Sequence, residues 1–309
     1  MERWFYPLIY CFVFVSANSV NKYVLSVLRF TFPTLFQGWQ TLVGFLLLGC
    51  ISVLGHFNFT PPSRGVVFPW IPAIVLFVLS IYSASKALSK LPVPIFCVLH
   101  SSTEIILACG DWLIFRGISG SLNQFSLVLI ILSCGLVWQS DPEVDMYGYI
   151  WMASHVLSSG LYSIITTLKR SPQISEFDKL LYNYLGSVII LAPSSIILGD
   201  VVAAQHFPHW YLHKFYIGCF LSGILGGTLG LLTIHLSKSM GAYHFSLLVV
   251  LAKFILSITS LGLFEATITA HLATSLLLGM FASWLCCWSK PEGTLTELTD
   301  PEKIPDGAT

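Results

Sequence analysis

The chain has 309 residues, of which 55% are hydrophobic and only 10% charged, with a mean hydropathy of +0.79; this is too little polar surface to coat a water-soluble domain. Its formal net charge is zero, which gives no case for nucleic acid or a strongly acidic partner. The class that remains is an all-α polytopic membrane protein, with the lipid bilayer as its first partner.

A helix needs about 20 mostly apolar residues to cross the hydrocarbon core. Ten segments have that character, near residues 5–25, 33–55, 66–85, 91–113, 122–139, 147–168, 179–199, 215–236, 241–263 and 267–288. The first contains Tyr10, Asn18, Asn21 and Lys22, lacks a small-residue cleavage site and reads as a signal-anchor helix. In the loop after the second, Asn58-Phe59-Thr60 matches a glycosylation sequon, but Pro61 follows it and the orientation argued below puts it in the cytosol, so no glycan is expected. The fourth segment carries His100, Ser101, Glu104 and Asp111 at spacings that share one side of a continuous helix. The sixth carries His155, Ser158, Ser159, Tyr162 and Thr166, and the seventh Tyr182, Asn183, Gly186 and Ser187.

Between the seventh and eighth segments, His206, His209 and His213 have helix-compatible spacing, but beyond Asp200 no carboxylate or cysteine accompanies them, so an interfacial surface is expected rather than a metal site. Gly223, Gly226, Gly227 and Gly230 share one face of the eighth, suited to close helix packing or to leaving room for a bulky ligand. The ninth aligns Ser246, Lys253, Ser257 and Ser260. From Lys290 onward the chain is polar and is expected to be a disordered cytosolic tail.

Lysine and arginine set the orientation. With the N-terminus in the cytosol, Arg3, Arg64, Arg116, Lys169, Arg170, Lys179, Lys238, Lys290 and Lys303 lie on that side, against Arg29, Lys86, Lys90 and Lys214 on the other. Both termini are therefore expected in the cytosol. All eight cysteines fall within spans, which argues against a disulfide framework; Cys286-Cys287 suits packing or palmitoylation. No paired intramembrane aspartates, H-E-x-x-H or Gly-rich phosphate loop appears, so neither an enzyme nor a cofactor is expected.

Two intramembrane charges stand out. An ungapped overlay of Val93–Phe115 on Ala242–Phe264 pairs Glu104 with Lys253, Phe96 with Phe245 and Phe115 with Phe264. Ionisable groups in a bilayer are costly and face a bundle interior or a wet cavity. Equivalent positions in two halves are what a carrier built from inverted repeats presents. A structural Glu104–Lys253 salt bridge is the alternative.

Several stretches resemble the GDP-mannose transporters. Ser85-Lys86-Ala87-Leu88, Val93-Pro94-Ile95-Phe96 and Cys109-Gly110-Asp111 are similar to that family's S-K-x-L, V-P-I-Y and Y-G-E elements; Tyr10-Cys11, Asn21-Lys22 and Tyr147-Gly148-Tyr149-Ile150-Trp151-Met152 also match. The resemblance runs from about residue 8 to 289. It implies the nucleotide-sugar transporter branch of the drug/metabolite transporter superfamily. The fold implied is ten helices in two inverted five-helix repeats, about 1–140 and 147–289, within one transporter domain 1–289 ahead of the tail 290–309.

The resemblance also implies alternating access that exchanges a cytosolic nucleotide sugar for a lumenal nucleoside monophosphate in the Golgi membrane, with the endoplasmic reticulum as the alternative; homodimerisation stays open. The tail ends Asp306-Gly307-Ala308-Thr309, without a dilysine retrieval signal. The family's F-Y-N-N, tied to guanine, reads Leu181-Tyr182-Asn183-Tyr184, and its G-A-L-N-K, tied to sugar and phosphates, reads Val249-Val250-Leu251-Ala252-Lys253. A site that hydrogen-bonds a base discriminates against loss of those bonds. The departures therefore favour a UDP-sugar, UDP-N-acetylglucosamine first, with other GDP-sugars, phosphorylated metabolites, small organic solutes or a non-transporting scaffold as alternatives. The residues assigned are Lys253 for phosphate, with Glu104 holding it in the empty carrier, and Asn183 with Tyr182 for the base. Tyr184 and Phe245 can stack, and Tyr10, Asn18 and Gly230 complete the set.

Overall fold

The computed structural model describes residues 2–55, 64–115, 120–167, 174–264, 267 and 269–289. The Asn58 sequon, Arg116, Lys169, Arg170 and the tail from Lys290 lie outside them. The described residues form α1 (Glu2–Lys22), α2 (Pro33–Val53), α3 (Arg64–Lys90), α4 (Val93–His100), α5 (Thr103–Phe115), α6 (Ser121–Ser140), α7 (Met146–Thr167), α8 (Glu176–Ile197), α9 (Asp200–Gln205), α10 (His213–Met240), α11 (Ala242–Leu263) and α12 (Ala270–Ser289), with a π-helical turn over Tyr23–Val27 and no strand.

Local chemistry sets the boundaries. Pro33 opens α2 and Pro94 sits in the first turn of α4, where the missing N–H costs nothing. The Ser175 side chain accepts the Asp178 N–H to cap α8. Asp145 does the same for α7, taking the Gly148 N–H at 3.1 Å, and also meets Lys90 at 3.2 Å. Gly241, at φ +78, makes the one-residue turn that separates α10 from α11.

Nine helical segments among the described residues are long and apolar enough to cross a bilayer. Helix α7 equals them at 22 residues but is not among them. Its polar side chains explain the difference: His155 and Ser158 are turned inward, at 8% and 1% exposure, so the helix does not need to be apolar all round.

Two expectations need correction. The fourth apolar segment is not one continuous helix. Around Ser101–Ser102 the N–H groups of Ser101, Ser102, Glu104 and Ile105 reach carbonyls three residues back, a tighter winding than the α-helix. The stripe His100, Ser101, Glu104 and Asp111 is accordingly split. The stretch 200–214 is not simply a loop, because it contains α9, and Phe207, Trp210 and Phe215 gather around Phe30. Among the described residues no group of three or more His, Cys, Asp or Glu is placed to hold a metal.

The helices pack pairwise: α3 along α7, α1 along α10 and α11, α6 along α12, and α2 along both α8 and α10. The α2–α10 seam uses the glycine face. A Cβ on Gly227 would stand 3.2 Å from the Gly44 Cα, and one on Gly223 2.8 Å from the Val43 Cβ. Gly226 and Gly230 serve differently, as described below. Cys286 and Cys287 are buried, at 1% and 6% exposure, which matches packing rather than acylation.

Candidate functional site

A cavity of about 340 Å³ opens between α3, α7, α8 and α10, lined by Phe77, Tyr162, Asn183, Tyr184 and Gly230 among others. Its volume falls at the lower end of the range for small-molecule sites. Glycine makes the room: Gly226 and Gly230 both border it, and a Cβ at Gly230 would stand 3.1 Å from the Tyr184 hydroxyl. At the end where α8 begins, Lys179 and Glu176 line the cavity as an ion pair at 2.6 Å, with the Lys179 ammonium 5.7 Å from the centre of the Trp70 ring.

Within the cavity wall runs a hydrogen-bonded chain. The Trp70 indole N–H donates to Asn183 Oδ1 at 3.1 Å, and Asn183 Nδ2 donates to the Tyr162 hydroxyl at 2.7 Å. Asn183 and Tyr162 line the cavity, whereas Trp70, 1% exposed, packs behind them with Ala73, Ile74 and Tyr182.

A second polar cluster lies deeper. Lys253 is in electrostatic contact with Glu104, Cys97 and Cys287, and with the imidazoles of His100 and His155. Those two rings stack at 5.0 Å, and Phe96 stacks on His155 at 5.5 Å. His155 and Tyr162 are seven residues apart on α7, so they share a face about 10 Å apart along the helix. One polar face therefore joins the Lys253 cluster to the cavity.

The residues singled out from the sequence thus separate. Asn183, Tyr184 and Gly230 line the cavity together. Lys253 lies within electrostatic reach of Glu104 in the second cluster, and Glu104 also borders a small cleft with Asp111 and Asn123. Tyr10 shares a hydrogen bond with Thr233, a cavity-lining residue, and packs edge-on against Phe245 at 5.5 Å. Tyr182 stands behind the wall, and Asn18 turns its amide back onto the Phe14 carbonyl of its own helix at 2.8 Å. Sequence reasoning missed Trp70, Phe77, Thr233 and the Lys179–Glu176 pair as site residues. Of these, only the i,i+3 spacing of Glu176 and Lys179 gave any signal, while Tyr162 falls in a polar stripe without an assigned role.

No protein-family model matches the chain. It is 39% identical over 272 residues to the UDP-N-acetylglucosamine transporter TMEM241 homolog of Xenopus laevis, covering 88% of this chain and 92% of that protein. It is 36% identical over 291 residues to the UDP-N-acetylglucosamine transporter TMEM241 of Mus musculus, covering 94% and 98%. The chain belongs to the TMEM241 family of nucleotide-sugar transporters.

A GDP-mannose transporter of Scheffersomyces stipitis is more distant, at 27% identity with 88% of each chain covered. One protein of known crystal structure shares the fold, with a TM-score of 0.59 at 13% identity over 90% of this chain and 95% of that one. The cavity lining combines aromatic rings in Phe77, Tyr162 and Tyr184, amide and hydroxyl groups in Asn183 and Thr233, and the charged pair Lys179–Glu176.

Proposed function

We propose that this protein carries UDP-N-acetylglucosamine across a Golgi membrane, from cytosol to lumen, in exchange for uridine monophosphate. The observation that carries this reading is the identity, at 36% and 39% over most of the chain, to two transporters named for that substrate, against 27% to a GDP-mannose transporter. The cavity supports it chemically. The base lies against Asn183, Tyr162 and Tyr184, while the diphosphate runs along the polar face of α7 toward Lys253. Glu104 holds Lys253 in the empty carrier, and the arriving anion takes its place.

The same reading counts ten spans, with α4 and α5 as one and α7 included, in two inverted five-helix halves. The packing supports this arrangement. Exchanging α1, α2, α3, α4/α5 and α6 for α7, α8, α10, α11 and α12 turns the α1–α10 contact into α3–α7, α2–α10 into α3–α8 and α1–α11 into the α4 and α5 contacts with α7, each of which is present. The α2–α8, α4–α11 and α6–α12 contacts map onto themselves. In this frame the cavity lies toward the cytosolic end. The opposite end is held by Lys22, whose ammonium donates to the carbonyls of Leu88 and Leu91 at 2.8 and 2.9 Å.

The experiment is uptake of labelled UDP-N-acetylglucosamine, UDP-galactose and GDP-mannose by purified protein in liposomes preloaded with UMP or GMP. Uptake of the first, driven by UMP, is expected. Preference for GDP-mannose with GMP would overturn the substrate assignment.

A further inference from the structure

The indole of Trp70 donates a hydrogen bond and cannot accept one. Its partner on Asn183 must therefore be the amide oxygen, which fixes the amide orientation by chemistry rather than by fit. With Oδ1 held against Trp70, which does not line the cavity, the NH₂ edge is turned to Tyr162, which does. The Tyr162 hydroxyl accepts from Asn183 at 2.7 Å and so keeps its own proton to give. Trp70 is itself immobilised. It is 1% exposed among Ala73, Ile74, Val78, Tyr182 and Leu191, and the Lys179 ammonium sits over its ring.

We propose that Trp70 is a positioning residue for substrate selection: it turns the Asn183 amide so that its NH₂ edge faces position 4 of a pyrimidine base, admitting a carbonyl oxygen there over an amino group. Uracil shows O4 beside an N3–H donor, and cytosine an N4 amine beside an N3 acceptor, so a donor fixed opposite position 4 pairs with the first base and meets another donor in the second. Asn183 is 1% exposed, so a donor facing its NH₂ leaves both unpaired, which costs about 1–3 kcal/mol, or roughly five- to hundredfold in affinity. If Trp70 were absent, the amide could rotate by half a turn and present its oxygen instead, and the two bases would be accepted alike. Guanine, which also carries a carbonyl, would pass this test and must be rejected by size or by another group.

This inference rests on the uridine reading above. The test is the ratio of half-inhibitory concentrations of CMP and UMP against UDP-N-acetylglucosamine uptake in liposomes, for the parent, Trp70→Phe and Asn183→Asp. The parent is expected to favour UMP by about tenfold or more. Trp70→Phe should bring the ratio close to one, raising the KM for the UDP-sugar while leaving the maximal rate per folded carrier near the parent value. Asn183→Asp replaces the NH₂ edge by an acceptor and should move the ratio toward CMP, and it decides the matter if Trp70→Phe does not fold. A purely structural Trp70 would lower yield and leave the ratio unchanged, which overturns the proposal, as does an unchanged ratio in Asn183→Asp. A parent that takes up UDP-N-acetylglucosamine but does not distinguish UMP from CMP overturns the proposal alone, whereas a parent that takes up no uridine sugar overturns the functional reading with it.

Discussion

Lys253 stands within electrostatic reach of a carboxylate, two thiols and two imidazoles inside the helix bundle, a grouping that lipid packing alone does not require. If it neutralises the diphosphate, Lys253→Ala should reduce uptake by roughly hundredfold, the scale of losing one partner of a desolvated charge pair. Membrane insertion should be unaffected, because the change removes a charge from the bilayer. Lys253→Arg keeps the charge but replaces a compact ammonium with a planar fork, and uptake should be impaired there too. Normal uptake by Lys253→Ala, measured per folded carrier, would remove the residue from the transport path. Lys253 and Glu104 stood out in the sequence as charges at equal offsets in two apolar runs, a relation that survives any error in helix boundaries. The Trp70–Asn183–Tyr162 chain did not. Trp70 lies 113 residues from Asn183, and nothing in its own segment points across that distance.

At the scale of elements, three features hold helices where the site needs them. Gly44 lets α2 approach α8 so closely that a Cβ there would stand 2.5 Å from Tyr184 Cε2. Gly44→Ala should therefore displace a ring that lines the cavity, costing about 1–3 kcal/mol in stability and raising KM together; thermal unfolding in detergent alongside uptake kinetics checks this. Lys22 joins the end of α1 to the Leu88 carbonyl of α3 and to that of Leu91 just beyond it, and Lys22→Met would leave them without this donor, lowering stability by about 1–3 kcal/mol. Asp145 caps α7 from outside the span. Burial raises the pKa of its carboxyl, but the Gly148 N–H and the Lys90 ammonium outweigh that, and the group is held below its ordinary value. A depressed pKa means the ionised form is favoured in the fold, so this contribution is present above the ordinary carboxylate range and is lost as pH falls through the lowered value. Asp145→Ala should cost about 1 kcal/mol at neutral pH and show a shallower loss of stability on acidification than the parent.

Across the whole molecule, the helices were legible because nine of them among the described residues are long and apolar enough to cross a bilayer, and the corrections fall where hydrogen bonding overrides hydropathy. The tightened winding at Ser101–Ser102 and the six-residue α9 contain no signal of their own in apolar periodicity. The packing order of the helices was not legible, since no single segment records its neighbour. The lysine and arginine bias predicts that tags at residues 1 and 309 both become accessible on selective permeabilisation of the plasma membrane; a lumenal tag at either end would break the inverted-repeat account. Uridine-sugar exchange is put to the test by counterflow with purified protein in liposomes. With UMP inside, labelled UDP-N-acetylglucosamine should accumulate well above the level reached in empty or GMP-loaded vesicles, and Lys253→Ala should abolish the difference. Equal uptake with and without internal nucleotide, or accumulation of GDP-mannose against GMP in its place, would contradict it.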